Sequence, residues 1–139
     1  MQILKNPKIG EIYALKFEGQ GNVQDGWRPG VVFQNNIGNM HSPNVVMLPV
    51  TTRSKKTGMP THVLLKASDT GLRMDSMVLC ENPQCVSKES LGRYITTLSD
   101  EYMRQIAAAS IMASGAISYM DLGSVINLWQ RASTLNAAS

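Results

Sequence analysis

Cysteine is scarce: Cys80 and Cys85 are the only two in 139 residues. Their offset matches no common zinc spacing, and no Cys or His cluster lies nearby in the sequence to complete a ligand set, so no metal and no other cofactor is expected. Two reduced thiols on or near a strand are the simpler reading. Long hydrophobic runs are also missing. The longest clear apolar stretch covers residues 45–50, far short of the roughly 18 residues a membrane helix needs. The opening Met-Gln-Ile-Leu-Lys-Asn-Pro has no apolar segment of signal-peptide length, so a soluble, cytoplasmic protein away from membranes is expected. Charged residues make up only 17% of the chain and hydrophobic ones 43%, which excludes a disordered polybasic tail. A phosphate-binding Gly-x-x-x-x-Gly-Lys loop, a Gly-x-Ser-x-Gly elbow and a paired-carboxylate motif are all absent, which argues against nucleotide-driven chemistry and the common hydrolase mechanisms.

What remains is the material of one domain, residues 1–139, with a real core. Thirteen Lys+Arg against ten Asp+Glu give a formal charge of +3 and a pI near 9.0. The excess is unevenly placed. Over residues 52–73, Arg53, Lys55, Lys56, Lys66 and Arg73 face only Asp69, a local charge of +4. From residue 99 onward Asp100, Glu101 and Asp121 slightly outweigh Arg104 and Arg131. Solubility alone would account for +3, but the asymmetry points to one face that handles an anion.

Up to about Leu98 the pattern is of short β segments separated by turn residues. Residues 11–17 alternate, with Ile12 and Ala14 on one face and Tyr13, Leu15 and Phe17 on the other. Residues 18–26 hold three glycines and are expected to form a mobile loop. Residues 30–34 form the next strand, and 35–39 carry turn chemistry. Residues 44–50 are nearly continuously apolar, as a strand buried on both faces would be, with Pro49 suggesting an edge or strand end. A basic polar loop follows over residues 51–60, then strands near 61–66, 75–80 and 93–98. Five or six mostly antiparallel strands at this spacing suggest a small barrel or sandwich over about residues 9–98. The period then changes. Ser99, Asp100 and Glu101 open a helix, with Met103, Ile106, Ala107, Ser110, Ile111 and Ser114 on one face and Gly115 as its stop. A second helix is expected from about Ser118, with Leu122, Val125, Ile126 and Trp129 on one face, and residues 132–139 are expected to fray. The fold class is α+β, with a helical tail over about 99–131.

Gly26-Trp27-Arg28-Pro29-Gly30 sets an arginine where a glycine-rich loop enters a strand. Pro29 biases Arg28 towards extended backbone, and a guanidinium offers paired donors to phosphate oxygens. The same arginine would equally serve to pair an acid such as Asp25. Thr51 and Thr52 end a buried strand, and Arg53, Lys55 and Lys56 follow; this suits a polyanion, as it would suit a solvated loop. Trp27 could stack a base or cap the loop. His41 and His62 could form an acid–base pair, but their spacing favours ordinary roles at a turn and a strand end.

Gly26-x-Arg28-Pro29-x-Val31-Val32 and Gln34-Asn35-Asn36-Ile-Gly38-Asn39 with Ser42-Pro43 closely resemble the first half of MazF/PemK-type toxins. Pro49-Val50-Thr51, Pro60-Thr61-His62-Val63, Gly71-Leu72, Asp75-Ser76-x-Val78-Leu79 and Ser99-Asp-Glu-x-Met103 follow in family order. The resemblance implies an SH3-like barrel with a helical tail, commonly a homodimer. It implies a metal-independent, sequence-specific endoribonuclease that cuts single-stranded RNA by attack of the 2′-hydroxyl on the adjacent phosphate. The usual partner is an acidic antitoxin whose partly disordered end covers the RNA groove. By position Arg28 and Thr51 match the catalytic arginine and threonine, and Ser76, Glu81 and Asn82 fall where polar side chains read bases. Trp27, Asn36 and Thr52 complete the candidate RNA contacts, with Arg53, Lys55 and Lys56 as phosphate-facing support. The chain departs from the family pattern at Gln84, where an arginine is expected, and at Pro83, which alters the local strand. The stretch after Gly115 exceeds the typical family tail. A non-catalytic SH3-like binding module, or a toxin of related fold aimed at a gyrase, are the alternative readings.

Overall fold

The computed structural model describes residues 6–17, 26–52 and 59–138. The glycine-rich loop after residue 17 and the basic stretch with Arg53, Lys55 and Lys56 lie outside the described residues. Among the described residues seven strands occur: β1 (Glu11–Phe17), β2 (Gly26–Val32), β3 (Asn44–Thr51), β4 (His62–Leu65), β5 (Ser76–Leu79), β6 (Gln84–Ser87) and β7 (Leu91–Thr97). Four helices accompany them: α1 (Asn36–His41), α2 (Ala67–Thr70), α3 (Asp100–Ser114) and α4 (Leu122–Ala138). Every pairing is antiparallel, in the order β4-β5-β3-β2-β1-β7, with β6 also paired to β3. The path does not return from β7 to β4. The α+β class holds, and the strand beyond the expected five or six is β6, which the polar sequence after Pro83 conceals.

β3 organises the sheet. One edge pairs with β2 from Met47 to Pro49, while the other pairs first with β6 through Met47 and then with β5 from Val50. Pro49 was expected to mark an edge or end, yet it lies inside a central strand opposite Gly30. It falls in the gap between the β6 and β5 ladders, where neither needs its missing N–H. The apolar run of β3 supplies two cores, because alternate residues point to opposite faces. Leu48 and Val50 join Ile12, Val31, Leu65, Val78 and Ile106 on one face. Val45 and Met47 join Tyr13, Leu15, Val32 and Leu91 on the other.

α3 begins at Ser99, whose hydroxyl accepts from the Tyr102 N–H at 3.3 Å, and ends where Gly115 turns left-handed at φ 78°. It buries Ile106 and Ala109, with Met103 packed half-buried against the same core; Ser114, expected on the buried face, is exposed. Tyr102 Oη donates to Asp69 Oδ2 at 2.7 Å, and that carboxylate raises the Tyr102 phenol above its ordinary value. α4 starts at Leu122 and stays helical through Ala138, so the expected fraying from residue 132 is not seen. Its expected apolar face is solvent-facing: Leu122, Ile126 and Trp129 are all exposed, Trp129 by 66%.

The stretch 35–39, read as turn chemistry, is the entry to α1. Asn35 Oδ1 accepts from Gly38 N at 2.9 Å and caps the helix. Asn39, 1% exposed, donates to Gln34 O at 2.8 Å and to Asn36 Oδ1 at 3.0 Å, while Gln34 Nε2 donates to Asn39 Oδ1 at 3.1 Å. Six residues are too few for a helical period to appear in sequence.

Candidate nucleic-acid interface

Arg28 stands near the start of β2 and Thr51 at the end of β3. The β2–β3 ladder stops at Gly30 and Pro49, so each lies two residues beyond it and at the same end of the strand pair. Pro29 sits opposite Ala14 and Arg28 opposite Leu15 on β1, which fixes the direction of the strand that carries the guanidinium. On its other side Thr51 pairs with Met77 of β5. Arg28 and Trp27 are both exposed, and Arg28 makes no ion pair among the described residues.

The surroundings are cationic. Lys16 is opposite Trp27 across β1 and β2, and Arg93 of β7 lines the same cleft as Trp27 and Arg28. In β1, β2 and β7 the one carboxylate is Glu11, at the far end of β1 and accepting from Tyr13 Oη at 3.1 Å. Burial and then that carboxylate push the Tyr13 phenol up to about 12, so it remains a neutral donor. Among the described residues of these three strands, a phosphate entering this end of the sheet meets cations and no carboxylate.

The other predicted residues are dispersed. Ser76 is buried beside Met77 and donates to Met74 O at 2.9 Å. Thr52 is exposed at the edge of the described residues. Asn36 is committed to structure, its Oδ1 accepting from Ile9 N at 2.8 Å as well as from Asn39. Glu81 and exposed Asn82 follow the opposite end of β5 from Met77. Glu81 Oε1 meets His62 Nε2 at 2.9 Å. Burial works against that carboxylate, but its own backbone N–H and His62 outweigh it and hold the carboxyl below the ordinary value. His41 and His62 lie on different elements, the one ending α1 and the other opening β4. Gln84 opens β6 opposite Met47, so Pro83 precedes a strand and does not break one. Among the described residues no group of three or more His, Cys, Asp or Glu is positioned to hold a metal ion.

Sequence reasoning missed Arg93. Between Tyr13↔Tyr94 and Leu15↔Leu91, β1 contributes only Ala14 while β7 contributes both Gly92 and Arg93. That is a two-against-one bulge, a device that bends a strand and re-aims its side chains. A glycine within a strand pattern was the available signal.

A sheet of this order, a capped C-terminal helix and an exposed arginine, without an ion pair among the described residues, at the same end of the central strands as a threonine point to a toxin nuclease family. Residues 8–111 match the family of PemK-like, MazF-like toxins of type II toxin–antitoxin systems, and the chain belongs to it. An endoribonuclease MazF of Staphylococcus saprophyticus is 36% identical over 107 residues, covering 76% of this chain and 89% of that protein. A solved endoribonuclease from a mycobacterial species superposes with a TM-score of 0.66 at 25% identity, over 82% of this chain and 96% of that one. Another mycobacterial endoribonuclease, solved in complex with its cognate antitoxin, gives 0.64 at 28% identity, over 78% of this chain and 95% of that one. The family match ends within α3, so α4 lies outside it.

Proposed function

We propose that this chain is the toxin of a toxin–antitoxin pair, an endoribonuclease that cleaves single-stranded RNA at the end of the sheet that carries Arg28 and Thr51. The observation that carries this is the exposed arginine, without an ion pair among the described residues, held at the same strand end as Thr51. In the reaction the ribose 2′-oxygen gives up its proton and bonds to the adjacent phosphorus. The bond from phosphorus to the 5′-oxygen breaks, that oxygen takes a proton, and a 2′,3′-cyclic phosphate and a 5′-hydroxyl result. Negative charge gathers on the phosphorane oxygens, where a fixed guanidinium and a hydroxyl donor stabilise it. A guanidinium has donors and no acceptor, so Arg28 acts through its charge and not as the base. Side chains alone supply the stabilisation in this scheme, so cleavage is metal-independent.

Trp27, Thr52, Arg53, Lys55 and Lys56 would guide the strand, and Ser76, Glu81 and Asn82 would contribute to sequence choice; Asn36 supports the fold beneath them. The whole chain, residues 1–139, acts as one domain. Its sheet, with β3 shared between ladders and residues buried on both faces, is read as an SH3-like barrel. A homodimer, an acidic antitoxin partner and a cytoplasmic setting complete the reading; no helix among the described residues is long and apolar enough to cross a membrane. Incubation with mixed-sequence single-stranded RNA in EDTA tests it. Discrete fragments with cyclic phosphate and 5′-hydroxyl ends are expected, and RNA left intact across a broad sequence set would overturn it.

A further inference from the structure

We propose that the cleft between Trp27 and Arg93 is a nucleotide subsite: the indole stacks one unpaired base, and Arg93 holds the phosphate next to it. This rests on the RNA-cleavage reading and extends it to Gly92 and Arg93 of β7, which no family motif quoted above includes.

The cleft is about 420 Å³ and crosses three strands, with Ala14, Pro29, Gly92 and Ile95 between Trp27, Arg28 and Arg93. That is room for a base and its sugar. Gly92 makes the slot. A Cβ there would lie 2.6 Å from Trp27 Cζ3 and 2.9 Å from the Ala14 carbonyl oxygen, so only glycine lets the indole rest across β1 and β7. The bulge opposite Ala14 brings Arg93 to the same cleft. An indole 58% exposed and two guanidiniums with no ion pair among the described residues stand together, and no lining residue is acidic. Two cations lining one cleft with no ion pair among the described residues call for an anion, and the aromatic face calls for a flat ring. A single-stranded nucleotide supplies both at once, whereas bases inside a duplex are already stacked. An acidic peptide would satisfy the arginines but leave the indole idle.

The full chain with Trp129→Phe leaves Trp27 as the sole tryptophan of the original two and makes its fluorescence a reporter. Titration with short single-stranded RNA methylated at every 2′-oxygen, which cannot supply the attacking group, should quench Trp27 saturably. Trp27→Leu should weaken binding of the same RNA by about five- to 150-fold, the range for losing one stacked base. Arg93→Ala should lower the slope of log affinity against log salt by about 0.7, one phosphate contact on a single strand. Gly92→Ala should reduce the quench by displacing the indole; Trp27→Leu carries the test if that variant does not fold. No quench, from a protein that still cuts unmethylated RNA of the same sequence, would overturn the subsite while leaving the cleavage reading intact. Quenching by a polyglutamate peptide but not by RNA would overturn it in favour of an acidic partner. Failure of the unmodified protein to cut any RNA would overturn the cleavage reading and this subsite with it.

Discussion

Arg28 lies in an extended strand, exposed and without an ion pair among the described residues, so its charge is available to a ligand. Arg28→Ala should lower the cleavage rate roughly a hundred- to a thousandfold, the usual loss for one charge-stabilising donor, with the circular dichroism spectrum unchanged. The two thiols differ for a physical reason. Cys80 is buried, and burial raises its pKa, whereas Cys85 is exposed. Mass-resolved alkylation of the native protein should therefore label Cys85 first and Cys80 only on unfolding. Glu81 has its carboxyl held below the ordinary 4.5. A depressed folded value means a stabilisation that is full above about 4.5 and lost as pH falls through the lower folded value. The gap in urea midpoint between the parent and Glu81→Gln should hold from neutrality to about pH 5 and shrink in more acid solution. These residue types were legible in the sequence; their environments were not, because partners lie well apart along the chain, 19 positions for His62 and Glu81.

At the scale of elements, α1 shows how a motif can be read correctly by position and wrongly by role. The asparagines that resemble the family's do lie beside β3, but Asn35, Asn36 and Asn39 bond one another, Gln34 and the backbone. Asn39→Ala should cost about 1–3 kcal/mol in chemical denaturation, because it strips partners from buried or half-buried polar atoms of Gln34. β1, β3 and β5 were readable from their apolar patterns. β6 was not, since its residues alternate between half-buried and exposed and contribute little hydrophobic signal. The β7 bulge is a matter of pairing between two strands, and no single strand's sequence records its register.

For the whole molecule, α4 is the conspicuous feature. From Leu122 to Arg131 every residue is exposed, although the helix carries Leu128 as well as its apolar stripe. α3 already closes the core over β4 with Ile106 and Ala109, and Gly115 then stops it. Truncation after Gly115 should therefore leave the thermal midpoint of the remaining domain unchanged within about 1 °C, since a surface deletion removes no core contact. A fall of several degrees would mean that α4 packs somewhere in solution. A cationic grouping distinct from the one read over residues 52–73 also belongs to this scale. Lys16, Arg28 and Arg93 come from three separate strands, so the cationic end of the sheet never appears as a run in the sequence.

The sequence by itself determined the class of the molecule and its family. Alternation, turn residues and helix caps are local, and the ordered motifs from Gly26 to Met103 needed no coordinates. Tertiary structure decided which residues meet. It set Arg28 and Thr51 at one strand end, withdrew Asn36 into a structural network, separated Glu81 from that end and added Arg93 through a bulge. The reason is physical: burial, ion pairing and register arise between segments distant along the chain, and only the folded sheet brings those segments together.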